Sequence, residues 1–215
     1  SIKHLVEKYY GTIPGGKKPA RLLPIEPTQK EFREKIIQRD VSADAFYYAF
    51  HMSERKNIGY YLADFLSDAI GKDQSSLLNI ALKKEQNMVS EINAFITGSL
   101  DHGLFLITGK LSEGVDFDTL DNALWKELEK IKMEGFSDRK LNSLKNKLST
   151  AKAFQEQGLL NKSISLCMFE LLGDANGINE EMQIYNSIEN SDILNFANSI
   201  LKRENCSLLK INKTK

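Results

Sequence analysis

Apolar positions recur at two periods along this chain, and the switches between them delimit the elements. FREKIIQRDV and ADAFYYAFHM (residues 32–41 and 43–52) carry β-branched and aromatic residues, and Ser42-Ala43-Asp44 supplies turn chemistry between them. They are predicted as two antiparallel strands. NIGYYLADFLSDAIG places Ile58, Tyr61, Leu62, Phe65, Leu66 and Ile70 at helical spacing, with Gly71 as a stop. QSSLLNIALKKEQ predicts a shorter helix with Ser75 or Ser76 near its N-cap. MVSEINAFIT and HGLFLITGKL return to strand, with GSLD between them as a hairpin.

The second half of the chain is helical in pattern. VDFDTLDNALWKELEKIKMEG lines Phe117, Leu120, Leu124, Leu128 and Ile131 along one stripe and ends at Gly135. Ser137 caps a long helix running to about Leu172, with Asp138 in its first turn, where negative charge suits the helix dipole. Leu141, Leu144, Leu148, Ala151, Leu159 and Leu166 fall on or near one face of it, and Gly158 is the place for a bend. Helices over about 179–188 and 191–202 and a closing strand, NCSLLKIN, complete the order β-β-α-α-β-β-α-α-α-α-β. The fold class is therefore α+β, a mainly antiparallel sheet with helices packed on one face.

All four prolines lie in GTIPGGKKPARLLPIEP, where each fixes φ and removes a backbone donor. Residues 1–28 are read as an extended Pro/Gly-containing connector and 29–215 as a single domain. SIKHLVEKYYG itself reads like the end of a helix, so a preceding domain is expected.

Composition narrows the function by exclusion. Lys+Arg and Asp+Glu balance at 29 each, so no net field favours nucleic acid or an anionic membrane. No apolar run approaches the roughly 18 residues of a membrane span. Cys167 and Cys206 both sit in apolar patterns and read as buried free thiols. The pair Glu180-Glu181 and the run KKEQ at 83–86 read as solvated helix faces, and Trp125 as core. No phosphate-binding glycine loop, dinucleotide fingerprint or nucleophile elbow is present.

One stretch imitates a metal site. His51-Met52-Ser53-Glu54-Arg55 is one residue short of H-x-x-E-H, in which a helix aligns two imidazoles on one face and the Glu acts as base. His51 instead ends a period-2 run, at a strand edge or in the loop beyond, and the next helix begins only near Lys56 or Asn57. The near-match is accidental, and the residues by themselves define no catalytic or metal site.

Several motifs nevertheless resemble one family. Tyr10-Gly11-Thr12-Ile13-Pro14, Glu26-Pro27-Thr28-Gln29, the NIGYYLADFLSDAIG helix, Ser75-Ser76 with Leu78, and Trp125 to Glu129 with Lys132, Gly135, Ser137, Leu141 and Lys145 are similar, in order and spacing, to the C-terminal domain of pitrilysin/insulinase-type zinc peptidases. That domain is also found in mitochondrial processing peptidase. The resemblance implies the metallohydrolase fold of the processing-peptidase type and no metal in this domain. Zinc is expected in a partner N-terminal H-x-x-E-H domain, joined in cis or supplied in trans, with a peptide as substrate. It also implies an Arg and a Tyr that hydrogen-bond the peptide; counted from Ser75-Ser76, these positions are Lys83 and Ser90. The family's Gly-Leu before that Tyr is Asn87-Met88 here. The alternative implied by the same resemblance is a scaffold subunit that keeps the fold without proteolysis.

Overall fold

A computed structural model of the protein describes residues 1–17, 26–98 and 100–214. In chain order its elements are α1 (Ile2–Tyr10), β1 (Arg33–Arg39), β2 (Ala45–Met52), α2 (Ile58–Gly71), a π-helical segment (Asn79–Glu85), β3 (Val89–Thr97), β4 (Gly103–Leu111), α3 (Phe117–Glu134), α4 (Asp138–Gln157), α5 (Leu159–Leu172), α6 (Gly177–Ser187), α7 (Asn190–Ile200) and β5 (Cys206–Lys213). The connector expected over 1–28 contains helix α1, and Lys18–Ile25 lie outside the described residues.

The five strands form one sheet in the order β1-β5-β2-β4-β3. Every pairing is antiparallel except β1 with β5, so the α+β class with a mainly antiparallel sheet stands. The predicted pairing of the first two strands does not. β1 and β2 run in opposite directions, but β5 lies between them. Local turn chemistry favours a hairpin; what separates the strands is a partner about 165 residues later, invisible to local pattern. The Ser42–Asp44 turn binds that intruder: Asp44 accepts the Lys213 amide at 2.7 Å, and the Ser42 carbonyl accepts the Lys213 ammonium at 3.2 Å.

Alternation in β2 decides which face the helices cover. Phe46, Tyr48, Phe50 and Met52 are buried against them, whereas Tyr47 points the other way and is exposed. α2 lies on this face, with Phe65, Leu66, Ala69 and Ile70 fully buried. Gly71 is more than a stop signal: a Cβ there would collide with the Ala94 backbone on β3, so only glycine permits this approach. α3 is capped by Asp116, whose carboxylate accepts the Thr119 amide at 2.8 Å. Gly135 ends it at φ 64°, a conformation that favours glycine.

The long helix expected from Ser137 to Leu172 is two helices. Ser137 caps α4 as predicted, but Gly158 is extended (φ −79°, ψ 118°) and breaks the run, giving five helices after β4 rather than four. The apolar face does not survive the break. Leu141 and Leu144 are buried, while Leu159 is 85% and Leu166 38% exposed.

The thiols divide in the same way. Cys206 is buried in β5, but Cys167 on α5 is exposed, which corrects the expectation of two buried thiols. A water-soluble disulfide reagent should therefore modify Cys167 rapidly in the native chain and reach Cys206 only after denaturant is added. Fast reaction of both would show that β5 is not held between β1 and β2.

Candidate functional site

Both residues placed by the resemblance lie around one turn at the edge of the sheet. The approach to it is fastened from below. The Asp73 carboxylate accepts the Ser75 amide at 2.7 Å, the Ser75 hydroxyl at 2.6 Å and the Lys147 ammonium of α4 at 2.6 Å. Partial desolvation would raise this carboxyl, but the bonds from Lys147 and Ser75 outweigh it and hold Asp73 well below the usual carboxylate range. Asn79 is buried and donates to the Ile92 carbonyl of β3 at 3.1 Å and to Ser76 Oγ at 3.0 Å. The π-helical segment is thus tied to α4 through Asp73 and to β3 through Asn79.

Lys83 projects from this segment into solvent, with Ala81 and Leu82 buried beneath it. Among the described residues Lys83 has no hydrogen bond or ion pair, so its ammonium is available. The chain then turns: Met88 donates its amide to the Leu82 carbonyl at 2.8 Å, and Asn87 adopts φ 50°. That left-handed conformation is one that Gly, and after it Asn, tolerates. Asn87 thus has the backbone geometry that a glycine would supply. Ser90 is the extra residue of a β-bulge, between the pairs Val89–Leu111 and Glu91–Lys110. It is exposed, and its hydroxyl donates to the Lys110 carbonyl at 3.4 Å. No hydrogen bond joins Lys83 to Ser90. The turn offers a free cation, and a bulge that re-aims one side chain.

A second feature has no forerunner in the sequence reading. α2, α4, α5 and α6 enclose a cleft of about 480 Å³, walled by Leu148, Ile164, Met168, Phe169 and Met182. Its floor is polar and self-satisfied. Arg55 donates to Glu181 at 2.6 Å, Lys152 donates to the same carboxylate at 2.9 Å, and Tyr185 donates to Asp64 at 2.6 Å. The Arg55 guanidinium also lies over the Tyr60 ring, 4.3 Å from its centroid. Glu181 is therefore no solvated helix face, as the pair Glu180-Glu181 had implied: its side chain is 15% exposed. Helical spacing places it beside Tyr185, but its partner Arg55 is 126 residues away in sequence.

Arg55 also settles the near-motif. The side chains at its three motif positions face three different partners: His51 Nε2 lies 3.7 Å from Glu26, Glu54 lies 3.3 Å from His102, and Arg55 binds Glu181. His51 is within β2, opposite Leu104, and the next helix begins at Ile58 behind an Asn57 cap. Among the described residues no group of three His, Cys, Asp or Glu is placed to hold a metal ion. No helix among the described residues is long and apolar enough to cross a membrane.

Buried protons give the fold an alkaline limit. Burial first, and then the neighbouring carboxylates Asp121 and Asp64, push the Tyr48 and Tyr185 phenols far above their usual range; burial pushes the Cys206 thiol up to about 12. Each group keeps a proton when folded that the unfolded chain would release. The stability it contributes is whole below the unfolded value, about 8.5 for a thiol and 10 for a phenol, and is lost as pH rises towards the folded value. Urea midpoints should hold up to about pH 8.5 and fall steeply above about pH 10. Tyr185→Phe should soften that fall; a midpoint unchanged at pH 11 would contradict these assignments.

Residues 1–148 match the family model of the peptidase M16 inactive domain. Among solved structures, a protease from Helicobacter pylori is similar over 98% of this chain and 51% of its own, with 18% identity and a TM-score of 0.90. The inactive peptidase domain of a Bordetella parapertussis protein is similar over 83% of this chain and 95% of its own, with 20% identity and a TM-score of 0.74. A chain of complex III from Candida albicans is similar over 94% of this chain and 49% of its own, at 17% identity and a TM-score of 0.74. At such identities the likeness shows the fold alone. The chain spans about half the length of the Helicobacter and Candida chains. No curated protein matches it.

Proposed function

The chain belongs to the peptidase M16 inactive-domain family, and from that premise we propose that it acts as the non-catalytic C-terminal domain of a zinc metallopeptidase or of its partner subunit. In this reading residues 29–215 form one domain, reached through the connector at 1–28. It packs on an H-x-x-E-H domain in cis or in trans and helps enclose a peptide. Zinc would be held by the H-x-x-E-H residues of that other domain, and would supply there the Lewis-acid activation of water and carbonyl. The family match over residues 1–148 carries the reading, together with the half-length coverage of similar chains.

The turn gives this domain something to contribute. Lys83 is an unspent cation at the sheet edge, suited to a peptide carbonyl or carboxylate, though it lacks the planar fork of an Arg. Ser90 keeps a hydroxyl on a bulge but is several ångströms shorter than a Tyr. Transition-state assistance therefore rests on Lys83, or on a partner's residues.

The test joins this chain to its H-x-x-E-H domain. The 215-residue chain alone should bind no stoichiometric zinc and cleave nothing, and the assembled protein should cleave peptides. Lys83→Ala should then lower kcat/KM about tenfold, the loss of one charge-assisted hydrogen bond, while Ser90→Ala changes it little. Zinc-dependent cleavage by the chain alone would sink the reading. An unchanged kcat/KM in Lys83→Ala would remove Lys83 from substrate binding. The second reading, a scaffold subunit without proteolysis, is favoured by Lys83 and Ser90 standing where the resemblance implies an Arg and a Tyr; an assembled protein that binds peptide but never cleaves it would select that one.

A further inference from the structure

α5 is apolar on more sides than its own domain covers. One stripe, with Met168, Phe169 and Leu172, turns inward to the cleft. A second, about 120° around the helix at 3.6 residues per turn, is formed by Leu160, Cys167 and Leu171, with Ile164 on its border with the cleft. Leu160 is 72%, Ile164 54% and Leu171 67% exposed. Phe154 on α4 (68%) and Leu159 (85%) extend the apolar surface at the start of α5. Together these side chains expose several hundred Å² of apolar surface, the size of patch that marks an interaction site. A monomer rarely leaves so much apolar surface to water. The spacing, Ile164 included, is four, three, four, the repeat of a helix–helix seam, and the stripe runs about 16 Å along the axis.

We infer that the Leu160–Leu171 stripe is the seam through which this domain docks an amphipathic helix of the H-x-x-E-H half. The inference rests on the reading proposed above and adds the surface to it. Two observations favour that occupant. The Helicobacter and Candida chains carry as much chain again beside the part that this fold matches. The seam spacing calls for a helix rather than an extended peptide, which would seek the edge of a sheet.

The experiment measures association of the chain with its separately expressed H-x-x-E-H half, together with amide hydrogen exchange over residues 154–171. Binding should slow exchange there at least tenfold and leave β1 unchanged. Leu160→Asp with Leu171→Asp should weaken association at least tenfold without moving the chain's own Tm by more than about 2 °C, since both side chains are exposed. Association with no protection over 154–171 would overturn the seam and leave the proposed function intact. Failure of the wild-type halves to associate would instead remove the proposed function, and the seam with it. A homodimer abolished by the same substitutions would assign the stripe to a second copy, and a collapse of Tm would assign it to the core; either overturns the inference.

Discussion

Asp121→Ala should destabilise the sheet–helix core as much as truncating one of its large buried side chains. The Asp121 carboxylate, on α3, accepts from the Tyr48 phenol at 2.9 Å and from the Trp125 indole at 3.1 Å, and is ion-paired with Arg203. Arg203 in turn lies over the Trp125 ring, 4.5 Å from its centroid. One carboxylate therefore satisfies groups from β2, from α3 and from the turn before β5. Removing it leaves the buried Tyr48 and Trp125 donors unpaired, each at about 1–3 kcal/mol. Arg203 is half-exposed and recovers water, so its loss adds little. The sum is about 3–5 kcal/mol, which for a chain of this size lowers Tm by roughly 10–15 °C. Asp121→Asn keeps an acceptor and should cost about a third of that. Tyr48→Phe in the Ala background should recover part of the loss, because the phenol then has no bond to miss. A Tm within about 3 °C of wild type for Asp121→Ala would show that the three donors find other partners.

That network marks the boundary of what the chain discloses in sequence. Helices α3, α6 and α7 and strands β2 to β5 follow from local period, because apolar spacing records the face each buries; α2 is apolar nearly all round, and β1, with no buried residue, is legible only from its β-branched content. Gly135 and Ser137 delimit α3 and α4 for equally local reasons. Sheet order is different. β5 enters between β1 and β2 from the far end of the chain, and nothing within ten residues of either strand encodes it. The break at Gly158 was legible as a bend, yet the exposure of Leu159 and Leu166 was not, since periodicity says that a face is apolar and not what covers it. The same limit hid Glu181 and Arg55, whose meaning lies in a contact between α6 and the turn before α2. At the sheet edge, the positions Lys83 and Ser90 came from resemblance alone; the left-handed Asn87 and the bulge at Ser90 are what the structure adds.

Arg55→His completes H-x-x-E-H in the sequence and should still produce no zinc site. The motif binds metal only where one helix face brings both imidazoles to the same ion. Here residue 51 is a strand position facing Glu26, residue 54 faces His102, and residue 55 faces the cleft floor. The new imidazole would lie among Tyr60, Phe169 and Glu181, turned away from His51. The change should instead act on stability. Arg55 and Glu181 are both largely buried, at 18% and 15% side-chain exposure, and losing one member of such a pair is strongly destabilising. Lys152 stays at 2.9 Å from Glu181 and limits the damage, whereas the guanidinium stacking over Tyr60 is lost. The net cost should be about 2–4 kcal/mol, seen as a Tm lower by roughly 5–12 °C, with calorimetric titration showing no stoichiometric zinc. Arg55→Lys keeps the charge without the planar fork and should fall between wild type and His. One zinc bound per chain in the His variant would mean that residues 51–55 can wind into a helix at the expense of the end of β2. Residue 51 would then be poised between two folds rather than fixed in the sheet.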